Sequence, residues 1–255
     1  MTRFTIEHVL RKRGAWLKGT KGDERTATAR AALSRLIGAD YGKFESLRDA
    51  LLRIEFAASP AALAELAQTL DSVALLDKML DAELLNQTPS GHFVVDTKAK
   101  RYLTGGWLEE LAWLAAISAG AEEAIYGQVV GWQVKGFTGE NEIDLIMRRG
   151  DELSFVSCKA LRSELDINDK KHRNRLMDAV HEADNMADHF GERGEKVAVL
   201  VTTDLYDEVR DTARYQALMG KAAVLDVQLI ALEELGWDRL VEAFQGILSL
   251  DQPEL

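Results

Sequence analysis

Apolar residues recur at three- and four-residue spacing through four stretches of the first hundred positions: 28–37, 44–56, 61–69 and 72–82. That period lines one face of a helix, so the pattern predicts four amphipathic helices. Pro60 directly after Ser59 suits a helix start, because the N–H that proline lacks would be unpaired in a first turn anyway. Further on, Pro89-Ser90-Gly91 marks a turn and His92 to Asp96 a short strand. Helix followed by a β-wing outlines a winged-helix element, and with no marked recognition helix a structural role is expected. From Gly105 the period changes. Helices are expected at 108–119, 169–190, 208–219 and 232–244, and strands at 128–135, 142–148, 153–159, 197–203 and 223–229. The order αβββαβ, continued by further helices and a strand, describes an α/β fold whose mixed sheet is flanked by helices. The expected division is a helical, winged-helix-like region at 1–100 and a sheet domain at 101–255.

Two of these strands carry charge where an apolar run would otherwise continue. Alternation puts Glu142, Asp144 and Ile146 on one face and Asn141, Ile143, Leu145 and Met147 on the other. In the next strand Phe155, Ser157 and Lys159 share a face, opposite Val156, Cys158 and Ala160. A tight turn at 149–151 makes the two strands hairpin partners, and the helix in GGWLEELAW can pack beside them and bring in Glu109. A carboxylate pair with a lysine can hold a divalent metal and offset charge at a phosphorus centre, which points to phosphodiester cleavage. A plain cross-strand Asp–Lys ion pair satisfies the same strand pattern.

Read together, GGWLEE, NEID, SCKA and the stretch HEADNMADHF-GERGEKVAVLVTT resemble the PD-(D/E)XK nuclease superfamily, and within it the Card-like endonuclease domain of CRISPR ancillary nucleases. The resemblance runs from about Leu103 to about Leu235. It implies a restriction-endonuclease-like mixed sheet, Mg²⁺ or Mn²⁺ as cofactor, and cleavage of DNA or RNA. It also implies Glu109 and Asp144 as metal ligands, a ligand from the backbone carbonyl of Cys158, and Lys159 as the water-orienting or charge-offsetting group. The family's triplet begins with Glu, whereas this chain has Ser157. Loss of that charge weakens binding of a hard cation. Ser157 could then act through a metal-bound water, a carboxylate on the following helix (Asp178 or Glu182) could stand in, or the protein could bind nucleic acid without cutting it. Relatives generally carry an N-terminal CARF sensor for a cyclic oligoadenylate. The helical first hundred residues leave no room for one, so no nucleotide activator is expected. A homodimer is implied.

Composition frames these readings. The chain has 255 residues, 47% of them hydrophobic, enough for a sizeable core. One cysteine, Cys158, excludes an internal disulfide and agrees with a reducing compartment. No signal peptide or membrane span is visible, and a cytoplasmic location without membrane association is expected. The net charge of -11 argues against a general affinity for nucleic acid. Locally the balance reverses: Arg3, Arg11, Lys12, Arg13, Lys18 and Lys21 crowd the N-terminus, Lys98, Lys100 and Arg101 precede the motif helix, and KKHRNR spans 170–175. Each run suits a phosphate-contacting surface or a solvated face. Trp107 and Trp113 are expected in the core. His172, His181 and His189 are too far apart to chelate zinc as a helical pair, and none is expected. Glu142 is a reserve ligand.

Overall fold

Helix-period segments and strand-period segments alternate along the chain, and the computed structural model, which describes residues 4–20, 22–53, 57–192 and 195–248, shows how they stack. The N-terminal part contains α1 (Ile6–Lys12), β1 (Ala15–Thr20), α2 (Glu24–Ala29), α3 (Ala31–Ala39), α4 (Tyr41–Leu51), α5 (Pro60–Thr69) and α6 (Val73–Asp81). A short hairpin follows, β2 (Asn86–Gln87) with β3 (Phe93–Val94), then α7 (Thr97–Arg101) and α8 (Trp107–Ser118). Next come β4 (Glu123–Val134), β5 (Phe137–Arg149), β6 (Glu152–Lys159), α9 (Lys170–Phe190), β7 (Val197–Val201), β8 (Tyr206–Asp207), β9 (Thr212–Ala213), α10 (Gln216–Val224), β10 (Val227–Ile230) and α11 (Trp237–Leu248).

The main sheet has six strands in the order β1-β4-β5-β6-β7-β10. Strands β1, β4, β5 and β6 pair antiparallel, while β7 lies parallel to both β6 and β10. Parallel neighbours need crossovers, and α9 and α10 supply them. All five residues of β7 are buried and apolar, as expected of a strand covered on both faces. One apolar core lies on the α8 side of the sheet and includes α3, α4, α6 and α11; the other lies on the α9 side with α1 and α10. No helix among the described residues is long and apolar enough to cross a membrane.

The α/β mixed sheet flanked by helices matches the sequence expectation. Several elements differ from it. The first twenty residues, for which the sequence pattern predicts no element, supply α1 and the edge strand β1. Glu123 accepts from the amide of Ile6 at 2.8 Å, and Arg13 holds Glu195 and the carbonyl of Phe190, fastening this segment to the sheet and to the end of α9. The helix expected at 208–219 begins only at Gln216. Asp207 accepts from the amides of Val209 and Arg210, closing a turn that leaves Val209 exposed and makes room for the β8–β9 hairpin. Ala223 and Val224, placed in a strand by their apolar pattern, end α10 instead. The helix expected at 232–244 splits into a single 3₁₀ turn at Leu232–Glu234 and α11. The far end of the helix expected at 44–56, and Arg3 and Lys21 of the N-terminal basic cluster, lie outside the described residues.

Candidate active site

The site forms where the sheet divides. Strands β5 and β6 start as a hairpin across Gly150, whose φ of +63° supplies the turn, and stay paired from Arg149↔Glu152 to Leu145↔Val156. There the ladder stops. Asp144 and the residues before it continue beside β4 alone, while Ser157, Cys158 and Lys159 continue beside β7. The amide of Cys158, left without a strand partner on this side, donates to Asp144 Oδ2 at 2.7 Å, and the Ser157 hydroxyl lies 3.4 Å from the same oxygen. Within a strand the N–H and C=O of one residue point to the same side. Lys159 spends its carbonyl on Thr202, toward β7, so Cys158 turns its carbonyl into the fork.

The faces of β5 change at this point. Leu145 and Met147 enter the α8-side core, but Ile143 joins Ile146 in the α9-side core, so the strict alternation expected of this strand breaks between Ile143 and Leu145. Strand β4 does the same: Ala124 and Tyr126 face α8, Val130 faces α9, and Gly127 between them has φ +58°. Both strands change face where Asp144 passes Gly127. Strand β6 keeps its alternation, with Val156, Cys158 and Ala160 toward α8 and Phe155 toward α9.

Glu109 arrives from α8. A π-helical turn, Tyr102–Gly106, joins α7 to α8, and Trp107 at the start of α8 is fully buried against Tyr41 and Phe44, with ring centroids 5.5 Å away in each case. Trp113, one and a half turns on, donates to the carbonyl of Ala124 at 3.0 Å and locks α8 onto β4. Both tryptophans are packing residues, as expected. Glu109 makes no hydrogen bond or ion pair with any described residue. Burial, and then the charge of Asp144, push its carboxyl up to about 7. Burial raises Asp144 as well, against the pull of the Cys158 amide and Lys159. Two half-desolvated carboxylates therefore face one another across the fork.

Lys159 lies on the α9 face of β6, and its ammonium meets Glu182 Oε2 at 2.8 Å. Burial works against its charge, yet the hydrogen bond to Glu182 and the field of Asp144 outweigh burial and raise the pKa. It stays an ammonium. Of the two helix carboxylates that could reach the site, Glu182 meets Lys159, while Asp178 is exposed and forms no hydrogen bond or ion pair with any described residue. Burial, with Asp144 and Glu109 nearby, pushes the Cys158 thiol well above its ordinary range, so the side chain remains a neutral thiol. Glu110, the neighbour of Glu109, is buried too: it is ion-paired with Arg30, between α2 and α3, whose guanidinium lies 4.3 Å from the Tyr102 ring centroid. Nothing in the spacing of Arg30 and Glu110, eighty positions apart, announces that pair. His172 is buried against Thr203, while His181 and His189 are exposed. Among the described residues no three His, Cys, Asp or Glu side chains are grouped to hold a metal.

A mixed sheet forked around an acidic pair, with a helix glutamate on one side and a strand lysine on the other, is the architecture of a restriction-endonuclease-like domain. Residues 96–236 match the family model described as "Card1-like, endonuclease domain", and the chain belongs to that family. No curated protein matches it. Among solved structures it resembles the protein VC1899 from Vibrio cholerae, with a TM-score of 0.66 at 15% identity, over 96% of this chain and 62% of that one. It also resembles Can2 from Sulfobacillus thermosulfidooxidans, solved in complex with cyclic tetra-adenylate, with a TM-score of 0.54 at 16% identity, over 94% of this chain and 61% of that one. The chain thus spans about three fifths of each, and the likeness of fold extends through its N-terminal helices.

Proposed function

We propose that this protein is a metal-dependent endonuclease that hydrolyses phosphodiester bonds in DNA or RNA, working in defence against foreign nucleic acid as a relative of CRISPR ancillary nucleases. The observation that carries the reading is the convergence of Glu109 and Asp144 at the sheet fork, beside the Cys158 backbone and the Lys159 ammonium. Mg²⁺ or Mn²⁺ suits this donor set: such ions take hard oxygen ligands, and Mg²⁺ is commonly held by one or two carboxylates, with waters and substrate phosphate completing its shell. Glu109, Asp144 and the Cys158 carbonyl would hold the ion, and Ser157 would assist through a water. A bound ion would polarise the phosphate and lower the pKa of a water.

The remaining work belongs to the chain. The Cys158 amide and the Ser157 hydroxyl hold one oxygen of Asp144 and orient its carboxylate. Lys159, kept protonated, offsets charge gathering on the phosphate oxygens rather than removing a proton. Glu182 positions that ammonium. We further propose a homodimer. No nucleotide activator forms part of this reading.

Cleavage of supercoiled plasmid, single-stranded DNA and RNA, with EDTA, Mg²⁺ or Mn²⁺, tests it. Asp144→Asn should lower the metal-dependent rate by at least ~10²-fold, the size of effect that removing one strong electrostatic contributor has in other sites. Equal rates for the parent and the Asp144→Asn and Lys159→Ala variants would overturn the assignment. The neutral Ser157 favours one other reading, a silent nucleic-acid-binding subunit on the same fold. Retained binding with no cutting of any substrate would select it.

A further inference from the structure

Beside Glu109, on the side away from Lys159, a cleft of about 120 Å³ opens between α2, the π-helical turn, α8 and β4. Its charged lining is Arg30, Lys98 and Arg101 with Asp23, Glu109 and Glu110. Two of its charges cancel, because Arg30 is committed to Glu110 through two hydrogen bonds. Lys98 and Arg101 are exposed and form no ion pair or side-chain hydrogen bond with any described residue. The fold therefore places two cations without an ion-pair partner among the described residues in the cleft of a carboxylate assigned to the site, and the Arg101 charge already acts on Glu109. Thr26, Arg30 and Lys98 also line a neighbouring surface groove of about 430 Å³, where Arg25, Arg30 and Lys98 stand against Asp81, Glu83 and Asp96.

We propose that Arg101 and Lys98 bind backbone phosphates of the nucleic-acid strand next to the one that reacts. The proposal rests on the nuclease reading and deepens it by naming two groups that hold the substrate. A protein of net charge -11 needs local cations to hold a polyanion, and these two have no ion-pair partner among the described residues. Arg101 is suited to the inner position, since a guanidinium meets phosphate oxygens with two parallel N–H donors, and Lys98 follows as a point charge.

The test is binding of short fluorescein-labelled single-stranded DNA, its RNA counterpart and a duplex, by anisotropy in EDTA and across a salt series. Parent, Arg101→Gln, Lys98→Gln, Arg101→Lys and, as a distant surface control, Lys221→Gln are compared. Arg101→Gln and Lys98→Gln should each weaken binding of the bound polymer severalfold. Each should flatten the slope of log K against log salt by about 0.7 for a single strand or about 0.9 for a duplex, since one phosphate fewer is neutralised. Arg101→Lys should restore the slope, and Lys221→Gln should match the parent. A variant that merely perturbed the fold would lose affinity without a change of slope. Parental slopes in Arg101→Gln and Lys98→Gln, or a parent with no affinity for any of the polymers, would overturn the proposal. Because binding is read without metal, a parent that binds with the expected slopes and fails to cut would remove the nuclease reading and leave the two phosphate contacts standing.

Discussion

Glu109 carries a charge that the protein alone does not stabilise. Its folded pKa of about 7 stands above the 4.5 of a free glutamate, first through burial and then through Asp144. The sign follows directly: the folded state holds this proton more tightly than the unfolded state, so the associated stability is complete below about pH 4.5 and is lost as pH rises through about 7. At ~1.4 kcal/mol per pKa unit, ionised Glu109 costs the metal-free fold about 3 kcal/mol. Glu109→Gln should therefore raise the urea stability of the EDTA-treated protein at pH 8 by about that order and leave it little changed near pH 4. Identical pH profiles for parent and variant would show that the carboxylates do not oppose one another. Ser157 gives the complementary case. Glutamate there would add a third charge to a buried position, so Ser157→Glu should destabilise the metal-free protein and tighten Mn²⁺ binding measured by calorimetry. Unchanged Mn²⁺ affinity would show that the neutral hydroxyl is not what limits metal binding.

At the scale of elements, the fork depends on a backbone feature opposite Asp144. Gly127 has φ +58°, and a Cβ there would stand 3.1 Å from the Gly22 amide nitrogen and 3.4 Å from Glu109 Oε2. Left-handed backbone costs a residue with a side chain roughly 1–2 kcal/mol before any crowding. Gly127→Ala is expected to lose about 2 kcal/mol in urea denaturation and to displace the Glu109 carboxylate, weakening metal-dependent cleavage as well. What the sequence disclosed follows from the same physics. The strands around Asp144 and Lys159 and the tight turn between them were legible, because period and turn chemistry are local. Glu109 was legible as a motif, and the αβββαβ order as a pattern. The break in alternation at Ile143 was not, since it coincides with the left-handed backbone of Gly127 on the neighbouring strand, a feature that the spacing within β5 does not carry. Strand β1 escaped because AWLKGT is short and has no clean alternation, and its pairing with β4 joins residues more than a hundred positions apart. The Arg30–Glu110 and Lys159–Glu182 pairs are likewise products of tertiary packing.

For the whole molecule, the change of hydrophobic period near residue 100 is not a gap in packing. The α8-side core runs without interruption from Leu33, Phe44 and Met79 through Trp107 and Leu111 to Leu145, Leu200 and Phe244. The edge strand of the sheet also comes from the first twenty residues. The loop that follows Lys159 is fastened to the N-terminal helices as well: Tyr41 donates to the carbonyl of Leu161 at 2.7 Å, and Glu45 accepts from the amide of Ser163. Trp107 stands at the centre of this arrangement, stacked on Tyr41 of α4 while opening the helix that carries Glu109. Removing a fully buried aromatic leaves a cavity and costs about 3–5 kcal/mol, and here the cavity would lie between the N-terminal helices and the sheet. Two separable units would absorb that loss at their boundary and melt independently. One shared core would lose it everywhere. Urea unfolding of the parent should therefore give coincident transitions by tryptophan fluorescence and far-ultraviolet circular dichroism. Trp107→Ala should move both to lower urea together, whereas a fluorescence transition that shifts while the circular dichroism one stays in place would show that the N-terminal helices unfold as a unit of their own.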